Sequence, residues 1–416
     1  QGRVVACNNP GAPVQGAAFS RLERCTLGYT QVGTNRYGIL PGCVQRDGYR
    51  LRAPPYWDAS GKTEVSVCAF ESQERELNPI TLETCESSRF ANDRTCGCGD
   101  RMRRCEPQNN AVFNARVRAV NEEPVLIADS VLRRDEPYFN LLTTRRSFVN
   151  GVLSSLWKQR QLNNVWAMTP PADLESIPSI DYAGNENTWK EYVRSEQHSG
   201  VLTTQSFLLR FPTQRARVNE FYEAFLCKTF MPPSNATLPD AEDSCNRENN
   251  LARRCGCNYC HATLEPTGAH WGRFTERGAA YIDPVRYPKL NPKCRDCALS
   301  GNTNCGGECR EYIMSALDGD GAQSLGMLKP YLYRTAAEEL NIVQGPRLLV
   351  ERMKQTGDLE RCTVRRMWKE FLGRGMTEQE QAMYLESLTR SFASSNFNLK
   401  KLIEEIVATD AYRRLD

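Results

Sequence analysis

The chain has 416 residues, a formal net charge of +3, 40% apolar and 25% charged residues, with 18 Cys and only three His. That length is enough for two or three domains with a sizeable core. The small net charge gives no case for a nucleic acid partner, and apolar runs such as Val125-Leu126-Ile127-Ala128 are too short to span a bilayer.

Residues 1–108 are rich in Gly, Pro, Asn and Cys, with strand-like pieces such as Thr63-Glu64-Val65-Ser66-Val67. They predict a small, disulfide-stapled β and loop domain ending in the knot Cys96-Gly97-Cys98-Gly99-Asp100. From residue 109 to 244 the texture turns helical. Val218, Phe221, Tyr222 and Phe225 mark one face of a helix over 214–228, which the pair Pro232-Pro233 cannot continue.

The segment 245–315 concentrates the cysteines and holds Cys257-Asn258-Tyr259-Cys260-His261. This Cys-x-x-Cys-His pentapeptide is the attachment pattern of c-type haem: two sulfurs bind one porphyrin edge and the next imidazole turns under the iron. The pattern predicts one covalent haem c on Cys257 and Cys260, with His261 as a metal ligand. Two other readings stand beside it. Cys294-x-x-Cys297 could complete a zinc knuckle, although residues 261–293 separate the pairs by more than the roughly 15–20 residues usual for such sites; or the cysteines are all in disulfides.

Residues 316–416 read as all-helical. Val364, Met367, Trp368, Phe371 and Leu372 form one apolar stripe, Thr377 with Glu380 forms a capping box, and Leu399, Leu402, Ile403 and Ile406 line a last helix. Asp318-Gly319-Asp320-Gly321 lacks the downstream Glu of a calcium loop and reads as a turn.

Setting Cys257 and Cys260 aside leaves an even set of sixteen cysteines, a density expected of an oxidising compartment. Gln1 at the start and the lack of a charged-then-apolar leader predict an exported protein, periplasmic or extracellular at the cell surface, with its signal removed.

Four segments in order resemble the planctomycete- and myxobacterial-type cytochrome c-like proteins. The first runs from Glu123-Pro124 through Asp135-Glu136-Pro137-Tyr138 and Leu141-Leu142-Thr143 to Phe148-Val149-Asn150. The second is His198-Ser199-Gly200-Val201-Leu202-Thr203 with Ser206-Phe207-Leu208, Phe225-Leu226-Cys227 and Pro232-Pro233. The third is the haem pentapeptide with Glu265-Pro266-x-Gly268 and Phe274. The fourth runs from Arg361-Cys362 and Leu372-Gly373-Arg374 to Ile406-Val407-x-Thr409-Asp410-Ala411-Tyr412-Arg413. The resemblance, carried by the helical part, implies an exported, mainly α monohaem cytochrome; with the small N-terminal disulfide-rich β/loop domain read from composition, the expected fold is that domain followed by a helical cytochrome c-like haem module. It supplies no reaction. His270-Trp271 stands where many relatives carry apolar residues.

The second axial position separates an electron carrier from an open, ligand-binding iron. His198 is the expected second metal ligand, with His270 and Met231 behind it. Arg253, Arg254 and Arg273 are candidate partners of the haem propionates, and Trp271 and Phe274 are candidate porphyrin-packing aromatics, the latter on the family pattern. The expected function is single-electron transfer to a redox partner protein or between copies of the chain, with possible association with the cell surface. The runners-up are a peroxidase-like enzyme with an open iron and an extracellular filament module stapled by haem.

Overall fold

The computed structural model describes residues 110–161 and 176–413, apart from 233, 235, 237–239, 241, 277, 302–304 and 318–320, together with two short strands near the N-terminus. Those strands, β1 (Gly48–Arg50) and β2 (Ser66–Cys68), pair antiparallel with Tyr49 opposite Val67. The rest of the expected N-terminal domain, its Cys96–Asp100 knot, and the turn at Asp318 lie outside the described residues.

The chain divides into two compact units, residues 1–123 with 146–195 and residues 124–145 with 196–416. The division falls inside helix α1 (Asn110–Arg133), between Glu123 and Pro124. The first unit contains the strand pair β3 (Arg146–Val149) and β4 (Lys190–Val193), antiparallel with Phe148 opposite Glu191, and helix α3 (Gly151–Gln161); the four-residue helix α2 (Asn140–Thr143) belongs to the second unit. Val112, Ala115, Ala119, Val152, Leu153, Trp157 and Tyr192 form its core. Glu123 is fully buried there, 3.3 Å from the guanidinium of Arg194 and accepting the hydroxyl of Ser147. Burial raises the Glu123 carboxyl pKa, against the pull of Arg194 and Ser147.

The second unit is mainly helical. Helix α4 (Gln205–Arg210) opens on Thr204, and α5 (Gln214–Leu226) on Thr213, each threonine accepting a backbone N–H of its first turn. Val218 and Phe221 are buried as their spacing predicts. The helix ends earlier than the Pro232-Pro233 signal suggested, because Cys227 turns left-handed (φ 53°) and is bonded to Cys362. Helix α6 (Asn258–Gly268) carries the pentapeptide, and α7 (Pro292–Leu299) is capped by Asn291 and tied by the Cys294–Cys309 and Cys297–Cys305 disulfides.

Of residues 316–335, expected to be helical, the described ones instead form short 3₁₀ turns and bridges until the capping box Thr335/Glu338 opens α8 (Ala336–Lys354). That helix kinks at Gly345 (φ 69°) before Pro346. Helix α9 (Asp358–Leu372) buries Val364 and Trp368, whereas Phe371, expected on the same stripe, is 37% exposed. The Thr377/Glu380 capping box opens α10 (Glu378–Glu380), followed by a π-turn (Gln381–Leu385) and α11 (Glu386–Ser394). In α12 (Leu399–Ala408), Leu399, Leu402 and Ile406 are buried and Ile403 packs beside them; α13 (Asp410–Arg413) follows. Among the described residues no helix is long and apolar enough to cross a membrane.

The expected boundaries at 108/109, 244/245 and 315/316 do not coincide with the observed division. Residues drawn from three of the expected segments share one core: Val218 and Phe221, Leu264 and Trp271, and Leu349, Trp368, Phe392 and Ile406. Burying these faces against each other merges the segments, and the Cys227–Cys362 bond crosses two of the boundaries.

Arg217 holds the centre of this unit. Its buried guanidinium donates to the carbonyl oxygens of Leu208, Phe211, Phe274, Thr275 and Gly278. Burial pushes its pKa down to about 10, which leaves it charged at neutral pH. Arg217→Met would strand these carbonyls without donors, each costing ~1–3 kcal/mol when buried. Urea unfolding of Arg217→Met is expected to show a loss of at least about 3 kcal/mol, with Arg217→Lys intermediate.

Candidate functional site

Helix α6 begins at the motif, with Cys257 as its N-cap residue and Cys260 and His261 in its first turn. Cys257 and Cys260 are free and half-buried, while Cys227, Cys245, Cys255, Cys294, Cys297, Cys305, Cys309 and Cys362 pair with one another. Between Asn110 and Arg413, every described cysteine outside the motif is thus in a disulfide. The pairs at Cys294 and Cys297 also remove the zinc knuckle: neither sulfur can serve a second Cys-x-x-Cys pair. Glu308 lies beside Cys294 and Cys309, but these two sulfurs are bonded to each other and are not thiolate donors.

His261 lies four residues before Glu265, one helical turn away on the same face. Its Nδ1 is 2.8 Å from Glu265 Oε1, so Nδ1 carries the proton, and Nε2 is the nitrogen suited to a metal. Arg215 donates to the same carboxylate oxygen at 2.7 Å, and Arg334 approaches the other oxygen at 3.5 Å. A second nitrogen of Arg334 donates to the Glu265 carbonyl at 2.6 Å. Partial burial alone would raise the Glu265 carboxyl. The bonds from His261 and Arg215, with the charge of Arg334, outweigh it and hold the pKa below the usual carboxylate range.

A cavity of about 850 Å³ runs alongside α6. Ala262, Glu265 and Pro266 form its wall on that helix, with Arg215, Arg253, Phe274, Lys329 and Arg334 among the other lining residues. Of the expected propionate partners, Arg253 is exposed and lines this cavity. Arg254 donates its Nε to Glu248 O at 2.6 Å and so ties its own loop. Arg273 is 6% exposed, donates to Ile282 O, Tyr287 O and the hydroxyl of Tyr331, and stacks over the Tyr331 ring, bracing the disulfide-rich segment from inside. Trp271 is fully buried, its Nε1 donating to Leu202 O at 3.1 Å and its ring packed on Phe207 and Phe221. Phe274 is buried against Tyr281 and borders the cavity.

The remaining histidines are buried. His198 is fully enclosed, with Nδ1 2.8 Å from Thr203 Oγ1 and its carbonyl accepting from Arg347. Gly200 makes this turn possible: at φ +45°, a Cβ there would stand 1.9 Å from Leu141 O. His270 donates Nδ1 to Gly345 O at 2.8 Å. It follows His261 by nine residues along a nearly continuous helical path, and at roughly 100° per residue its side chain points to about the opposite side. Met231 is 76% exposed.

Glu265, Arg215 and Arg334 went unassigned in the sequence reading. The spacing from His261 to Glu265 could have revealed the first; Arg215 and Arg334 lie 50 and 69 residues from it in the chain and carry no local signal.

Residues 341–412, from the middle of α8 to α13, match a family model described as a protein of unknown function (DUF1585), a family often found in cytochrome c-like proteins. The match covers the fourth of the segments on which the sequence resemblance rests, up to its last residue but one, Tyr412. No curated protein and no solved structure matches the chain.

Two outcomes follow from this geometry. Alkylation of non-reduced protein made without haem attachment should label Cys257 and Cys260, and peptide mapping should find the eight cysteines of the four disulfides unlabelled. For His270, burial is the largest influence and brings the pKa down to about 4 from 6.5, despite the bond to Gly345. The unfolded chain then binds the extra proton first, so stability falls as pH drops from about 6.5 to about 4, by roughly 3 kcal/mol at most. His270→Asn, which keeps a donor for Gly345, should flatten that slope in pH-dependent urea unfolding.

Proposed function

We propose that this chain is an exported monohaem c-type cytochrome that passes single electrons to a partner protein or between neighbouring copies of itself. One observation carries the reading: beside eight cysteines paired in four disulfides, the two left free flank the start of a helix, directly before an imidazole whose Nδ1 is held by a carboxylate. A dithiol meant for a structural disulfide needs no such histidine, and a haem site needs all three groups.

Cys257 and Cys260 would form the two thioether bonds. His261 would bind through Nε2, with Glu265 fixing the ring's tautomer and orientation. Bound there, haem c supplies a one-electron iron couple. Arg253, exposed beside the motif helix, is suited to a propionate. His198 is the candidate second axial ligand and would use Nε2, because Nδ1 faces Thr203. The four described disulfides and the lack of a membrane-crossing helix among the described residues fit export into an oxidising compartment.

Co-expression with a covalent haem-attachment system tests the reading. The purified protein should keep its colour through denaturation and acid–acetone extraction, and Cys260→Ala should lose covalent haem retention. Colourless wild-type protein would remove the cytochrome assignment. Wild-type absorption should be low-spin and indifferent to cyanide, and His198→Ala should shift it towards high spin. An unchanged spectrum in that variant would exclude His198 as a ligand.

A further inference from the structure

The attachment pattern accounts for two sulfurs and an imidazole, but it does not require the carboxylate behind that imidazole or the two guanidinium groups behind the carboxylate. We propose that Glu265, clamped by Arg215 and Arg334, sets the reduction potential of iron bound to His261, with the two arginines moderating the carboxylate's influence. This inference rests on the haem reading above.

A carboxylate accepting the Nδ1 proton draws it away from the ring and leaves more negative charge on Nε2. That extra donation stabilises iron(III) more than iron(II), and so lowers the potential. A neutral acceptor such as a backbone carbonyl would act more weakly. At 2.8 Å, Glu265 is in full hydrogen-bond contact with the ring, and its side chain is only 18% exposed. Solvent screening is correspondingly reduced.

The arginines act in the opposite sense, since positive charge at the carboxylate weakens its hold on the Nδ1 proton. Arg334 is 8% exposed and fixed by its bonds to Glu265 O and Pro330 O. Its position is therefore set by the backbone of α6 and of the turn before α8. Arg215 sits on α5, bonds Glu265 at 2.7 Å and is 54% exposed, so it can be changed without opening the core. The reaction is one electron, iron(III) to iron(II), delivered by the redox partner; the proton on Nδ1 stays there throughout.

The test uses the full-length holoprotein in optical redox titrations with dithionite and ferricyanide. Glu265→Gln should raise the ratio of reduced to oxidised haem at a fixed poise about tenfold or more, an upward shift of about 59 mV for a one-electron couple. Arg215→Gln should shift the ratio several-fold in the opposite direction. Glu276→Gln serves as the charge control. Glu276 lines the same cavity but accepts from Gln214 N and does not touch the imidazole. Its neutralisation should change the ratio less than twofold.

Equal shifts in Glu265→Gln and Glu276→Gln would overturn the proposal, because a general charge effect would then account for both. Should Glu265→Gln fail to fold or to keep haem, Arg215→Gln decides: a downward shift supports the proposal and an unchanged potential overturns it. Wild-type protein without covalent haem would sink the cytochrome reading itself. Retained haem with unmoved potentials would sink this inference alone.

Discussion

Three stretches of chain far apart in sequence meet at the carboxylate of Glu265. It accepts the Nδ1 proton of His261 on its own helix, the Nε proton of Arg215 from α5, and the charge of Arg334 from the turn before α8. A half-buried carboxylate is costly to desolvate, and here three donors compensate it. The same contacts determine which imidazole nitrogen carries the proton. Orientation of the His261 imidazole and docking of two neighbouring elements are thus one interaction. Loosening it would release the ring and the helix wall together.

The helices around this carboxylate are held by devices that work without any cofactor. Arg217 satisfies carbonyls from the α4–α5 connection and from the loop beyond Trp271, replacing backbone bonds that irregular chain cannot make to itself. Trp271 reaches back to Leu202, so the end of the motif helix is pinned to the segment bearing His198. The Cys227–Cys362 bond closes a long loop between α5 and α9 and restricts the unfolded chain. With these restraints spread through the core, the motif can keep two unpaired thiols at a helix start.

Much of the architecture was legible locally. The faces of α5 and α12 and the two-residue logic of the Thr377/Glu380 capping box all depend on neighbours within a turn or two. Sequence proximity does not show where a long side chain turns: Arg273 lies near the motif in sequence, and its guanidinium turns inward to Tyr287 and Tyr331. Residues 316–335 looked helical by continuity, but bridging at Leu290–Met327 and Tyr312–Leu328 offered the backbone other partners.

The sequence by itself determined the candidate chemistry, because a thiol pair and an imidazole at fixed local spacing need no distant residue to be recognised. It also determined the helical character and several caps, which depend on bonds within one turn. Only the tertiary structure decided which cysteines remain unpaired, how three expected segments merge into one core, and that Arg215 and Arg334 converge on Glu265. Those outcomes depend on contacts between residues tens of positions apart, whose meeting is set by how all the apolar faces pack at once and leaves no trace in any short window of sequence.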